Sequence, residues 1–449
     1  MYKNISIIVT QSTVIDIFLY IDKNGARYMA AYKCLDITEK HNVKYYLLID
    51  IDSGNTIRLN RLEMIQLFRC GNTVCNLQLS KDNRIIKKKH QISECKQISE
   101  SITLTGSILK DIVDNIARGM EASCKLSFMP YKNVDNAISK FNKSRIIGLD
   151  TQLLRVKNSC VAIRIETNIV LIANGDILLP DDAQQLFLFS RFKEIDLQGL
   201  NSSNTYSMKQ MFSFSRSRIL NLDKLDTRSL LTTEQMFEDY VPNILDLRGF
   251  YTGSVVNMRK MFCHSSIEKI YFGDFDTGNV ETMESMFQDC NKLTELDISN
   301  FNTTNVKVME SMFRGCRLFN RLIFGNIDTH NVETMCGMFL GFRCKQDIDF
   351  SHFNTSKVKN MKMMFAGAEM ENIDLSSFDT TNCIDFLGMF RKASINNRIN
   401  IQNFKLQPGA ITEEMFKMCS SRSIIVDDIR IKSLIQSELK DYKIYNRRT

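Results

Sequence analysis

The residues best suited to chemistry are few. Cys70, Cys75, His90 and Cys95 follow the spacing C-x4-C-x14-H-x4-C, which is within reach of a zinc site. Against that, Cys75 opens an apparent strand at 74–79, which favours ordinary buried thiols. Five histidines are present: His41, His90, His264, His330 and His352. The last three occupy different repeat columns, so stacking gathers no obvious site from them. No phosphate-binding P-loop, nucleophile elbow or His-Glu-x-x-His pair occurs. The expectation is a protein with no catalytic residues, no metal and no cofactor.

Composition sets the wider bounds. The chain has 449 residues, a net charge of +7, no Trp, 4 Pro, 23 Met and 29 Phe. It reads as globular, and no apolar run is long enough to span a membrane. Thirteen cysteines, without the spacing of a small secreted domain, read as reduced thiols. With no evident export signal, the sequence by itself reads as cytoplasmic. Residues 1–150 hold 22 Lys/Arg and 15 Asp/Glu, so the whole positive excess lies there. Lys87, Lys88 and Lys89 read as a solvated turn rather than a nucleic-acid contact.

A repeat decides the architecture. Met-Phe recurs at Met211, Met236, Met261, Met286, Met312, Met338, Met364, Met389 and Met415, at intervals of 25 or 26. Leu186-Phe187 lies one interval earlier and reads as a degenerate tenth copy. An apolar-x-apolar triplet ends 14 residues before each Met, as in Leu296-Asp297-Ile298. The triplet alternates like a strand. Val306, Met309, Met312 and Phe313 follow helical spacing, which predicts a short helix capped by Thr303 or Asn305. Each unit therefore reads strand, turn, short helix, loop. Fifteen Met and fifteen Phe fall in four repeat columns, which places them in the core. Thr227, Thr252, Thr277, Thr303, Thr329, Thr355 and Thr380 form another column, read as caps or a hydroxyl ladder. Cys290, Cys316 and Cys419 share one more and read as small buried residues.

The run Phe301-Asn302-Thr303-Thr304-Asn305-Val306, followed by Met309, Met312-Phe313 and Cys316, resembles the repeat of BspA-like bacterial surface proteins and lipoproteins. The resemblance implies a leucine-rich-repeat-like solenoid that binds macromolecules, often as an adhesin at the cell surface. Thr233 and Thr412 depart from the family's first Met, and Pro408-Gly409 from its Asn-Val pair.

The expected fold class is an α/β repeat solenoid with a parallel strand ladder and a small N-terminal α+β module. Residues 1–140 form that module, 141–192 a connector and cap, 193–426 nine units, and 427–449 a C-terminal cap or tail. Within the module, 45–51 with 56–59 and 76–79 with 84–86 read as hairpins. Residues 61–68 and 107–120 read as helices.

The middle triplet residue should face solvent. Asp196, Asp246, Tyr271, Asp297, Asp349 and Asp374 are the candidate binding residues at that position. One reading is a solubilising edge that blocks strand association. The other is a recognition stripe for a basic protein partner or a cation. The leading functional expectation is a non-enzymatic protein-binding scaffold. A surface adhesin exported by an unrecognised route is the alternative. A nucleic-acid-binding or enzymatic N-terminal module comes third, with no small-molecule substrate in evidence.

Overall fold

The computed structural model describes residues 100–439 apart from 147, 148, 158 and 274, and before them the backbone of six strands. Four of these, Ile15–Ile21, Arg27–Lys40, Val43–Asp50 and Thr56–Asn60, make an antiparallel sheet in chain order. Cys75–Leu79 pairs antiparallel with Ile85–Lys89. Both expected hairpins are therefore formed. The lysine run, expected as a turn, instead lies in a strand: Lys87, Lys88 and Lys89 stand opposite Leu77, Asn76 and Cys75. The helix expected at 61–68, and Cys70, His90 and Cys95 of the zinc spacing, lie outside the described residues.

Residues 100–192 build an α/β layer that runs directly into the repeats. Thr105 accepts a hydrogen bond from the Ile108 amide and opens the helix Gly106–Ile112, which continues as a π turn over Val113–Ala117. A second helix, Val134–Ile146, packs Val134, Ala137 and Phe141 on Val161, Ile163 and Ile172. The sheet beneath has Lys125–Met129 between Asn168–Ala173 and the first repeat strand, Glu194–Asp196. The boundary expected at 140 thus runs through one sheet. Because its strands pair with the first unit, this layer closes an apolar end that would otherwise face water.

From residue 182 onward the chain is a strand-rich repeat with parallel ladders. One column runs unbroken through ten units, from Asp182, Ser207, Thr232 and Asn257 to Asp385 and Ile411. The triplet strands pair in shorter groups: Glu194–Asp196 with Ile219–Asn221, Ile244–Asp246 with Lys269–Tyr271, and Glu295–Asp297 with Arg321–Ile323. Glu369–Asp374, Ser394–Asn400 and Ser420–Ile425 form a last group of three.

The short helix expected in each unit is not there. Met283, Ser285, Phe287 and Asp289 donate their amides to Val308, Glu310, Met312 and Arg314 of the next unit. The intervening Met286, Gln288 and Cys290 amides bond three residues back instead. Ser285 and Asp289 adopt positive φ, 55° and 53°. A left-handed residue in every turn reverses the peptide plane, so the amides bond between units rather than along a helix. Inward side chains three and four apart fit this chain of turns as well as they fit a helix. The cap assigned to Thr303 or Asn305 falls with the helix. Thr303 Oγ1 donates forward to Asp328 O at 2.6 Å, and Asn305 Nδ2 donates back to Gly278 O at 2.7 Å. The Thr column repeats the forward bond at Thr227, Thr252, Thr277, Thr329, Thr355 and Thr380, making the hydroxyl ladder real.

The core follows the columns read from sequence. Every Met and Phe of the nine Met-Phe pairs is fully buried. The ten rings from Phe187 to Phe416 form one stack, with neighbouring centroids 5.3–5.9 Å apart and planes within 3–16°. Such offset pairs contribute about 0.5–1.5 kcal/mol each beyond the area they bury. Phe187 takes its place in this stack, so the tenth copy is structural. At the far end the helix Ile429–Glu438 starts on an Asp428 cap and buries Ile431 and Ile435 against the last unit.

Candidate functional site

The middle triplet residues pair in register in four separate groups, whereas Asp349, expected on a strand, lies in irregular backbone between them. Asp196 stands opposite Asn221, Asp246 opposite Tyr271, Asp297 opposite Ile323 and Asp374 opposite Asn400. Asp246, Tyr271, Asp297, Asp349 and Asp374 are exposed, whereas Asp196 is half-buried. Most acidic positions therefore alternate with a neutral side chain, which relieves the repulsion a row of carboxylates would suffer.

Each carboxylate of the stripe also has local work. Asp196, Asp246, Asp297, Asp349 and Asp374 accept the backbone N–H two residues on, at 2.8–3.2 Å. This turn swings the chain off the strand and into the next corner. Hydrogen bonds to the charged form hold three of the carboxyls below their usual range: from Arg248 at Asp246, Ser299 at Asp297 and Ser351 at Asp349. At Asp374 partial burial pushes upward, but Ser376 and Asn400 outweigh it.

Tyr271 is the most elaborated position. Lys269 Nζ lies 4.8 Å from its ring centroid and Arg248 Cζ 5.2 Å. Arg248 also grips Asp246 through Nε at 2.9 Å and Nη2 at 2.6 Å. Asp246, Arg248, Tyr271 and Lys269 thus form one exposed cluster across two units. At the N-terminal end Lys125 bridges Glu194 at 2.6 Å and Asp196 at 3.2 Å, which ties up that end of the stripe.

Sequence reasoning missed a second acidic corner. Asp226, Asp276, Asp328 and Asp379 precede the Thr column and make the same turn, as do Asn302 and Asn354. Their fixed place beside Thr was the available signal. Asp226 is held at about 2, first by the Arg228 guanidinium. Opposite charges also alternate between units: Arg259 sits between Glu234 at 3.4 Å and Glu284 at 3.0 Å.

The three histidines of the repeats do not converge. His330 bonds Asp328 at 2.8 Å, and His264 lies between Asp239 and Asp289. The column cysteines are buried: the Cys290 and Cys316 thiols donate to Phe262 O and Phe287 O of the preceding unit. Burial pushes Cys290 and Cys419 up to about 12, which leaves them unreactive. Among the described residues, no helix is long and apolar enough to cross a membrane.

A family model described as "Mycoplasma protein of unknown function, DUF285" matches residues 181–264, 241–348 and 322–428. The overlapping matches reflect the short period, and together they cover more than half of the chain. No curated protein and no solved structure matches it.

Proposed function

We propose a function for this chain, which belongs to the Mycoplasma DUF285 family of unknown function: it is a non-enzymatic protein-binding scaffold. Its units stack as a solenoid of leucine-rich-repeat type, similar to the BspA-like repeat, and the strand edge receives a basic protein partner. The observation that carries this reading is the register of the stripe. Equivalent positions of adjacent units stand opposite each other at Asp246 and Tyr271, Asp297 and Ile323, and Asp374 and Asn400, with two cations on the Tyr271 ring. A row of fixed side chains on a stacked core suits an extended protein surface, because little side-chain freedom is lost on binding.

Asn is a clean probe of this edge. Asn400 occupies the same column and still accepts the Gln402 amide, so Asp→Asn removes charge while keeping the turn. The test is retention of the full chain on an array of Lys/Arg-rich peptides, compared with the Asp297→Asn, Asp349→Asn, Asp374→Asn triple variant. Retention should fall about tenfold, at roughly 0.5 kcal/mol per exposed charge. Equal retention by the two proteins removes the stripe as the binding surface.

A further inference from the structure

We propose that Cys263, His264 and Glu238 form a binding site for a zinc-class divalent cation, separate from the strand edge. The Cys263 sulfur, one Glu238 oxygen and one His264 ring nitrogen all lie within 4.8 Å of one another. Tetrahedral zinc ligands stand roughly 3.5 Å apart, so closure on an ion needs side-chain shifts of about 1 Å. Thiolate, imidazole and carboxylate together suit a borderline-soft ion rather than calcium or magnesium.

The backbone brings these groups together across two units. Glu238 and Cys263 are neighbours in one column, and Asp239 and His264 in the next. The Asp239 amide donates to Cys263 O at 2.9 Å, and the His264 amide to Gln288 O at 2.7 Å. His264 has a φ of 57°, so it and Cys263 leave the chain on different faces, the thiol buried and the imidazole exposed. An ion between them would be reached from solvent past the imidazole.

Partners for the ligands are already in place. Gln235 Nε2 donates to Glu238 Oε2 at 2.5 Å, which orients the carboxylate and leaves Oε1 for the ion. Asp239 lies 3.7 Å from His264 Nδ1, and Asp289 lies 3.3 Å from Nε2. With Nδ1 turned to the ion, Nε2 faces the Asp289 carboxylate, which can orient the ring. Glu238 is only 8% exposed, and a buried carboxylate beside a thiol gains from a cation. Coordination releases the thiol proton to solvent and turns the sulfur into a thiolate ligand. Water completes the shell.

The test is calorimetric titration of the full chain with Zn2+, and with Cd2+ read by sulfur-to-cadmium charge-transfer absorbance. Ser213 occupies the Cys263 column two units earlier and is fully buried, so Cys263→Ser should keep the fold. His264 is exposed, and Asn tolerates its backbone conformation, so His264→Asn gives a second, independent variant. Each variant should bind one equivalent fewer, or bind that equivalent at least ~100-fold more weakly, while Cys290→Ser binds as the parent does. The proposal is overturned if the parent takes up no Zn2+ at micromolar concentration. Equal stoichiometry and affinity in the parent, Cys263→Ser and His264→Asn overturn it too.

Discussion

The Glu438 carboxylate, at the end of the C-terminal helix, accepts the backbone N–H of Phe416 at 2.6 Å. This bond closes the stack. Met415 O accepts from the Phe390 amide of the preceding unit, so the N–H of the same planar peptide must point onward. In every earlier unit that N–H finds a carbonyl of the next unit. After Phe416 there is no next unit, and Glu438 takes the carbonyl's place. Its charge also suits the end toward which these aligned peptides turn their N–H groups.

Glu438→Ala should therefore destabilise the repeat region by about 1.5–3 kcal/mol, the range for a hydrogen bond to a charged acceptor. Glu438→Gln, which retains an acceptor, should lose less. Urea unfolding gives the magnitude, and amide exchange at Phe416 gives the place. Unchanged exchange at Phe416 in the Ala variant would mean that the carboxylate does not hold the last unit.

Two glycines separate backbone strain from steric overlap. Gly337 and Gly325 have φ of 59° and 61°. A Cβ at Gly337 meets the Ser311 hydroxyl at 3.3 Å and the Leu340 side chain at ordinary contact distance, so Gly337→Ala should cost about 1–2 kcal/mol, mainly from conformation. At Gly325 the Cβ would lie 2.5 Å from Ser299 Cβ and 2.8 Å from its Cα. Gly325→Ala should cost more, because two backbones of adjacent units must separate. Denaturation midpoints of the two variants rank them, and the opposite order would contradict the close approach.

Acid should loosen the corners. Asp226 titrates at about 2 in the folded chain against an ordinary 3.8, so the folded state binds its proton less readily than the unfolded state. The stability it contributes is complete above about pH 4 and is lost as pH falls toward 2. Asp246, Asp297 and Asp349 are lowered as well and act in the same direction. Asp226→Asn keeps the turn, as Asn302 does in the same column, but lacks the charge. Urea midpoints at pH 6, 4 and 3 should show a parent advantage that shrinks on acidification. A constant difference across that range would rule out the linkage.

Much of the fold was legible because burial acts on every unit alike. The Met and Phe columns, the hydroxyl ladder of Thr227 to Thr380, and the tenth copy at Phe187 all followed from period and residue type. The helix was misread because Val306, Met309, Met312 and Phe313 point inward along a helix and along a chain of turns equally well. The discriminating residues were Gly315, Gly341 and Gly367 in one column and Gly337 and Gly388 in another, all at positive φ. A helix has no use for left-handed residues at those steps. The exposure of Asp246, Tyr271, Asp297, Asp349 and Asp374 followed from strand alternation, but the part the carboxylates play in the turns was not foreseen. A side-chain bond to an amide two residues on leaves no trace in hydrophobic spacing.

By itself, the sequence determined the period, the inward columns and the exposed strand edge, since each rests on whether one side chain prefers water or the core. Only the tertiary structure decided how the stack ends at Glu438, how Asp246 and Tyr271 share Arg248, and how Glu238 meets Cys263 and His264. Those relationships join residues about one full unit apart, and their geometry depends on backbone conformation that apolar spacing does not encode.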